Sequence, residues 1–423
     1  MTSPKSSSPA PIASTPEPVA GMGFYTFTWT PEDVILRLNH LRERGDTVSA
    51  EIEVCYRDGR HLYGGDRLSL TNGEARAKLA KRLALIRNGL PWEPMFQQAS
   101  IETLRHYRQG EAPVLVGATL RRAVRPWRLW PIIPLGNTAI LFGPGGSLKS
   151  TLAALFALLV QAGETTKGLR PQQGNALVLD WETDEDDFND LCWGLREGLC
   201  LLEKFQPLYR RCLRPLAEDA EAIQEIILAR KIDTVFVDSA MLAAGGTRMA
   251  KEDCASVFAT LRAFGTSNLV VAHEVKDPNA PPKPYGDVFW ENLARHLLQV
   301  KCVDNADLHL HEIGLYNTKT NWGPKLPPLG FQLAFTDDRR ITVETQDPNE
   351  VPELADKLPA YAKLRLALKH GSLSIANLSE QTGLAQDFVR STMNRYKNLF
   401  VNLESSHGKI GCWGLRIQEE ETA

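Results

Sequence analysis

The chain has 423 residues, of which 43% are hydrophobic and 23% charged, with 48 basic against 51 acidic side chains. That length exceeds one ordinary domain and suits two or three, and the composition is that of a soluble globular protein, which excludes a collagenous or wholly disordered chain. The near-balanced charge excludes a surface coated in positive charge, so any nucleic-acid contact has to come from local patches.

The seven cysteines (Cys55, Cys192, Cys200, Cys212, Cys254, Cys302 and Cys412) are scattered, with no CxxC pair and no histidines at zinc spacing. They read as reduced thiols. No stretch approaches the roughly 18 apolar residues of a membrane span, and the start is rich in Ser, Pro and Ala rather than basic and then apolar. The expectation is a cytoplasmic protein with no membrane partner and a disordered tail over residues 1–21, whose plain reading is an inert extension.

After the tail, Phe24 to Trp29 predicts a strand, and Pro31 to Arg44 a helix with Val34, Leu36, Leu38 and Leu41 among its apolar positions. Glu51 to Tyr56 alternates polar and apolar residues before the Asp58-Gly59 turn and His61 to Leu70, which predicts an antiparallel hairpin. Helices at Gly73 to Asn88 and around Ile101 to Gln109 complete a small α+β domain over residues 22–110. Residues 111–134, rich in proline and arginine, form a linker. From Thr138 short apolar strands alternate with helices: Thr138 to Phe142, Ala176 to Asp180, Thr234 to Asp238 and Asn268 to Ala272. Such strands suit a parallel sheet covered on both faces. Later strands at Leu308 to Asn317, Phe331 to Phe335 and Ile341 to Glu344 close a domain over residues 135–346. A second linker (347–358), a compact helical domain (359–417) and a short tail (418–423) follow.

The strongest signal is Ile140-Leu-Phe-Gly-Pro-Gly-Gly-Ser-Leu-Lys-Ser-Thr151: an apolar strand, a glycine-rich turn and an apolar helix. Gly143, Gly145 and Gly146, with Pro144 and Ser147 between and beyond them, let backbone amides turn inward around phosphate. Lys149 reaches the outer phosphates, and the Ser150 hydroxyl, beside Thr151, suits a Mg²⁺ ligand. Leu148 stands where GxxxxGK[ST] has its last glycine. The reading is ATP and Mg²⁺ binding with altered loop geometry; its rival is a decayed, non-binding loop. Thr234-Val-Phe-Val-Asp238-Ser239 ends in a carboxylate suited to orienting water on Mg²⁺, although strand-end aspartates also occur as structural residues.

Ser239 rather than an acid follows Asp238, which directs the search for a general base to another strand. Glu182, just past the strand Val178-Leu-Asp180, fits that role and polarises the attacking water. The neighbouring Asp184, Glu185, Asp186 and Asp187 read as acids that cap and open the next helix. The fourth core strand runs into His273-Glu-Val-Lys276, at the carboxyl edge where open α/β sheets bind ligands. His273 there senses the γ-phosphate or is structural, and Lys276 is equally a solvated loop cation.

This constellation resembles the RecA-like superfamily, and within it the hexameric replicative helicases of RepA type found in plasmids, phages and prophages. The resemblance covers roughly Trp130 to Phe335 and includes Asn292-Leu-Ala-Arg295 and Asn317-Thr-Lys319-Thr-Asn-Trp-Gly323. It implies a RecA-like α/β P-loop core with a mainly parallel sheet, an arginine-bearing helix at Arg295, and Arg295 or Lys319 acting as a finger on a neighbouring subunit's nucleotide. That in turn implies a homo-oligomeric ring, a hexamer. The alternative for Arg295 is an ion pair on a helix surface. Leu148 and the domains at both ends depart from the family pattern.

At the C-terminal end, Pro359 to His370 with Leu364, Leu366 and Leu368, Ser374 as the N-cap of Ile375 to Thr382, the Gly383-Leu384 turn and Gln386 to Asn398 follow helix-turn-helix grammar. Phe388, Val389, Met393 and Tyr396 are core candidates. Phe400 to Leu403 and Cys412 to Leu415 predict the two strands of a wing, so the region resembles a winged helix. Arg390, Arg395, Lys397 and Lys409 would then contact DNA; the alternative is protein docking. Two functions compete: a DNA-acting motor or remodelling ATPase of a mobile element, and a nucleotide-switched DNA-binding regulator or recruitment factor without helicase activity.

Overall fold

Alternation of buried and less buried side chains with period two runs through residues 24–29, 34–38 and 47–54. In the computed structural model, β1 (Val19–Gly21), β2 (Phe24–Trp29), β3 (Val34–Arg44), β4 (Thr47–Cys55) and β5 (His61–Ser69) form an antiparallel sheet in sequence order, followed by α1 (Gly73–Ile86) and α2 (Trp92–Gln109). The structure describes residues 18–109, 126–245, 251–276, 281–286, 288–304, 309–348, 360–369, 371–403 and 411–416, with single positions at 16, 113, 115, 351 and 354. The helix expected over Pro31 to Arg44 is instead β3. Val34, Leu36 and Leu38 are all buried and two apart, a strand period that outweighs the helical reading of Leu41. Asn72 starts α1 by accepting from the amides of Glu74 (2.9 Å) and Ala75 (3.2 Å).

Next come β6 (Trp127–Trp130), β7 (Ile133–Pro134), β8 (Thr138–Gly143), α3 (Lys149–Ala162), β9 (Arg170–Pro171), β10 (Asn175–Asp180), α4 (Glu185–Gly198) and β11 (Leu208–Arg211). The end of the expected linker is therefore structured: the apolar side chains of Leu129, Ile132 and Ile133 are fully buried in the core. Most of residues 111–125 lie outside the described residues. After α5 (Ala220–Arg230) follow β12 (Ile232–Asp238), α6 (Ala240–Ala243), α7 (Lys251–Ala263), β13 (Ser267–His273), α8 (Phe289–Leu293), β14 (His296–Asp304), β15 (Leu310–Thr320), β16 (Leu329–Phe335) and β17 (Ile341–Gln346).

These strands build one sheet in the order β11-β10-β12-β13-β8-β14-β15-β16-β17. The first six run parallel and the last three extend them antiparallel. Every residue of β8 is buried, and α3 is apolar almost all round, as a helix enclosed on both sides must be. The architecture of this part is the expected α/β class, a mainly parallel sheet interleaved with helices.

Residues 360–416 carry α9 (Ala360–Ala367), β18 (Leu373–Ser374), α10 (Ile375–Thr382), α11 (Gln386–Arg395), β19 (Phe400–Leu403) and β20 (Cys412–Leu415), with a small sheet in the order β18-β20-β19. Leu364, Leu378, Val389, Met393 and Phe400 form its core, and Ser374 Oγ accepts from the Asn377 amide at 3.2 Å. Phe388, a core candidate from sequence, is 53% exposed, since α11 turns Val389 and Met393 inward instead. By contact the chain divides into Met1–Arg125 with Arg214–Lys231, and Pro126–Leu213 with Ile232–Ala423. Segment 214–231 thus belongs with the N-terminal unit, where Glu221 pairs with His40 at 2.5 Å. No described helix is long and apolar enough to cross a membrane.

His296, fully buried at the start of β14, has Nε2 3.1 Å from the Pro131 carbonyl and Nδ1 3.3 Å from Asn317 Nδ2. Burial depresses its pKa from 6.5 to about 4, so the folded state holds it neutral, with Nε2 donating and Nδ1 accepting. A depressed histidine stabilises the fold above its unfolded pKa, and that contribution falls away as pH drops from about 6.5 to about 4, by about 3 kcal/mol in all. Urea unfolding of the wild type across this range should show the loss, and His296→Gln should flatten the slope.

Candidate functional site

The carboxyl ends of β8, β10, β12 and β13 meet at one edge. β8 delivers the chain into the turn at Gly143, where an added Cβ would lie 2.6 Å from the Val300 carbonyl of β14, so only glycine permits this approach. Gly146 has a φ of +75°. Inside the turn Ser147 Oγ donates to the Pro144 carbonyl (2.8 Å), and Lys149 Nζ donates to the same carbonyl (2.5 Å) and to Ser147 Oγ (3.3 Å). Lys149 is 6% exposed. Burial lowers its pKa against the pull of Asp238, Glu182 and Glu274, so the ammonium is a charge short of anionic partners.

Leu148 resolves the departure at the motif's last glycine. Its φ of 56° and ψ of 29° are left-handed, the conformation glycine would supply, and its side chain packs partly buried against the core. The turn keeps its path at a conformational cost of roughly 1–2 kcal/mol. No side chain caps α3, so its first-turn amides are placed to receive an anion, reinforced by the helix dipole. Ser150 is exposed at this end, whereas Thr151 is buried.

Asp238 ends β12, one strand removed from β8, and is 8% exposed. Burial pushes its carboxyl up to about 6, assisted by Glu182 and Asp180, while a hydrogen bond from Ser150 and the charge of Lys149 oppose the shift. A hydroxyl and a carboxylate already in contact form a hard-oxygen pair that fits Mg²⁺, which would screen the phosphates.

Sequence reasoning missed the part played by Asp180. Its Oδ1 accepts from the amides of Glu182 (2.8 Å) and Thr183 (3.1 Å), and its Oδ2 from the Thr183 hydroxyl and from Tyr209 OH (3.5 Å). This buried carboxylate folds the turn that presents Glu182. Glu182 Oε1 in turn accepts from Ser239 Oγ and lies 3.9 Å from His273 Nε2. Asp184 caps α4, its Oδ1 accepting from the Asp187 amide at 3.0 Å. Gln299 was also missed: from β14 it donates to Glu274 Oε1 at 2.8 Å, and only the strand pairing places it there.

Gly146, Ser147, Leu148, Lys149, Ser150, Thr151, Glu182, Asp238, Ser239 and His273 thus line one cleft of about 260 Å³. Pro144 and Gly145 border an adjoining hollow with His273 and Lys276.

Arg295 and Lys319 lie at the opposite end of the sheet. Arg295 is not on a helix: it is exposed in the link between α8 and β14, and its amide donates to the Thr138 carbonyl at the start of β8. The chain beyond it is strand β14, whose residues 297–300 are buried against β8 and β15. Lys319 Nζ donates to the carbonyls of Glu291 (2.6 Å), Asn292 (3.2 Å) and Ala294 (3.0 Å), closing the end of α8. Neither side chain enters the cleft of its own chain. Arg390, Arg395 and Lys397 are exposed on and just beyond α11, and Lys409 lies outside the described residues.

The turn, its lysine and hydroxyl, and the acids at the parallel edge define a P-loop ATPase domain. A family model described as an AAA domain matches residues 111–279, a span that holds the phosphate turn, Glu182, Asp238 and His273. No curated protein matches the sequence. Among solved structures, a KaiC-like protein of the hyperthermophilic archaeon Pyrococcus horikoshii OT3 is 16% identical, with a TM-score of 0.37 over 50% of this chain and 93% of that one.

Two outcomes follow from this geometry. Leu148→Gly should bind a fluorescent ATP analogue within about tenfold of wild type, whereas Leu148→Val, β-branched at a positive φ, should weaken binding further and lower the melting temperature. For Asp238, magnesium requires the carboxylate, so Mg²⁺-dependent nucleotide affinity should fall about tenfold per unit below pH 6, and Asp238→Asn should be weak and flat with pH.

Proposed function

We propose that this chain is an ATP-hydrolysing, ring-forming motor or remodelling ATPase of RepA-helicase type that acts on DNA in the replication or maintenance of a mobile element. The observation that carries hydrolysis is the placement of Glu182: a carboxylate anchored by the Asp180 turn and by Ser239, facing His273 across the cleft from Lys149. In this reading Lys149 and the α3 amides hold the phosphates, Ser150 and Asp238 hold Mg²⁺, and Glu182 takes the proton from the attacking water. His273 links the γ-phosphate position to the loop beyond β13.

Arg295, exposed and remote from its own cleft, serves a neighbouring subunit's nucleotide in a hexamer. Lys319 supports it by fixing the end of α8. The helix-turn-helix order of α9 to α11 with the β19–β20 ribbon supports a winged helix, in which Arg390, Arg395 and Lys397 meet backbone phosphates and Phe388 stands exposed beside them. The retained path of the phosphate turn at Leu148 favours turnover over a static switch.

ATPase assays on purified protein test this. Wild-type turnover should rise severalfold with single-stranded DNA and lose that stimulation with salt. Lys149→Ala should abolish turnover, and Glu182→Gln should bind nucleotide yet turn over roughly 10²-fold slower or less. Binding with little turnover and no DNA response would replace the motor with the nucleotide-switched regulator.

A further inference from the structure

The N-terminal sheet has an apolar face and a polar one. Along β4 the even-numbered residues Val48, Ala50, Ile52 and Val54 are buried in the core, and Glu51, Glu53 and Cys55 alternate with them on the other face. Cys55 breaks the polar pattern: it sits on the outer face and is nevertheless 2% exposed. Glu53, two residues back, and His61, directly opposite in the β4–β5 register, surround it.

Their polar atoms converge. His61 Nδ1 lies 2.9 Å from Glu53 Oε1 and 3.7 Å from Cys55 Sγ, and all three atoms fall within 4.8 Å of one another. Both contacts use the same ring nitrogen. A nucleophile relay engages the two nitrogens of a histidine on opposite sides, so this is not one. Without metal, the Cys55 thiol and the His61 Nδ1–H both have the Glu53 carboxylate as acceptor, which gathers the three groups, and a cation would take the place of those protons. A cation among the three atoms bonds to all of them. Tetrahedral zinc with sulfur, nitrogen and oxygen ligands separates its ligand atoms by about 3.3–3.6 Å, so the nitrogen–sulfur pair at 3.7 Å already fits, the nitrogen–oxygen pair at 2.9 Å opens by about half an ångström, and the sulfur–oxygen pair lies within 4.8 Å.

We propose that Glu53, Cys55 and His61 form a binding site for a borderline-soft divalent transition metal, zinc above all, with its fourth position open to water or an incoming ligand. The donor set selects the metal: thiolate and imidazole favour zinc over magnesium or calcium. Arg37 Nη1 holds Glu53 Oε2 at 3.1 Å and leaves Oε1 facing His61. Burial first, and then the Glu53 charge, raise the thiol's pKa, so metal uptake releases a proton. The open position has room: a cleft of about 330 Å³ lined by Asn39, Glu51, Glu53, His61, Gly64 and Gly65 adjoins it, and the His61 side chain is 70% exposed.

The test is titration of full-length, chelator-treated protein with Co²⁺ and then Zn²⁺. One equivalent of Co²⁺ should produce a thiolate-to-cobalt charge-transfer band with four-coordinate ligand-field absorption, which one equivalent of Zn²⁺ bleaches. Cys55→Ser should lose the charge-transfer band. His61→Ala, at an exposed position that does not endanger folding, should weaken Co²⁺ binding roughly tenfold or more while ATPase activity is unchanged. No stoichiometric band in the wild type, or an undiminished band and affinity in His61→Ala, would overturn the site.

Discussion

Parallel register is the constraint on which the nucleotide cleft depends. Asp180 pairs with Asp238, Asp238 with Val271, and His273 with Gly143, so the two acids finish at one level and His273 and Gly143 two residues beyond it. A slip of a single residue in any ladder would turn the strand's side chains to the other face and take its polar group out of the cleft. The burial of β8, β10, β12 and β13 fixes that register, because each strand is apolar on both sides and has no solvent face to exchange with the core. Precision at the site is thus inherited from the hydrophobic packing beneath it.

The charges at this edge are held in three different ways. Asp180 is satisfied by two amides and a hydroxyl of its own turn and by the Tyr209 phenol of β11. Asp238 is left protonatable by burial, and Lys149 leans on a backbone carbonyl with its own pKa depressed. The first is a finished structural unit. The other two are each shifted toward neutrality, the state in which phosphate and a divalent cation bring the missing opposite charges. Electrostatic incompleteness is concentrated where ligand is expected and is absent one turn away.

Much of this was legible in the chain. The phosphate turn, the strands ending at Asp180, Asp238 and His273, and the Ser374 cap all announce themselves through local pattern, because each depends on residues close in sequence. What stayed hidden depends on pairing. Val34, Leu36 and Leu38 carried a period of two that the expectation of a helix overrode. β14 was hidden because its apolar run His296-Leu-Leu-Gln-Val300 reads as helix or strand until β8 and β15 enclose it. Lys319, singled out as a finger, turned out to be committed to three carbonyls that no motif encodes. The Glu53, Cys55 and His61 cluster escaped a search for linear zinc spacing because cross-strand register, rather than a motif, assembles it.

The division of the chain into units has its own topological result. The strand sequence leaves the ATPase unit after Leu213 and re-enters it at Ile232, immediately before the strand that bears Asp238. The intervening helix belongs with the N-terminal sheet, where Gln224 approaches Gly21 and Glu221 pairs with His40. The N-terminal unit is therefore stitched into the ATPase by two further crossings and is not an appendage on a single tether. Deletion of everything before Pro126 would strip that helix of the sheet it is folded against, one short connection from the strand that carries Asp238.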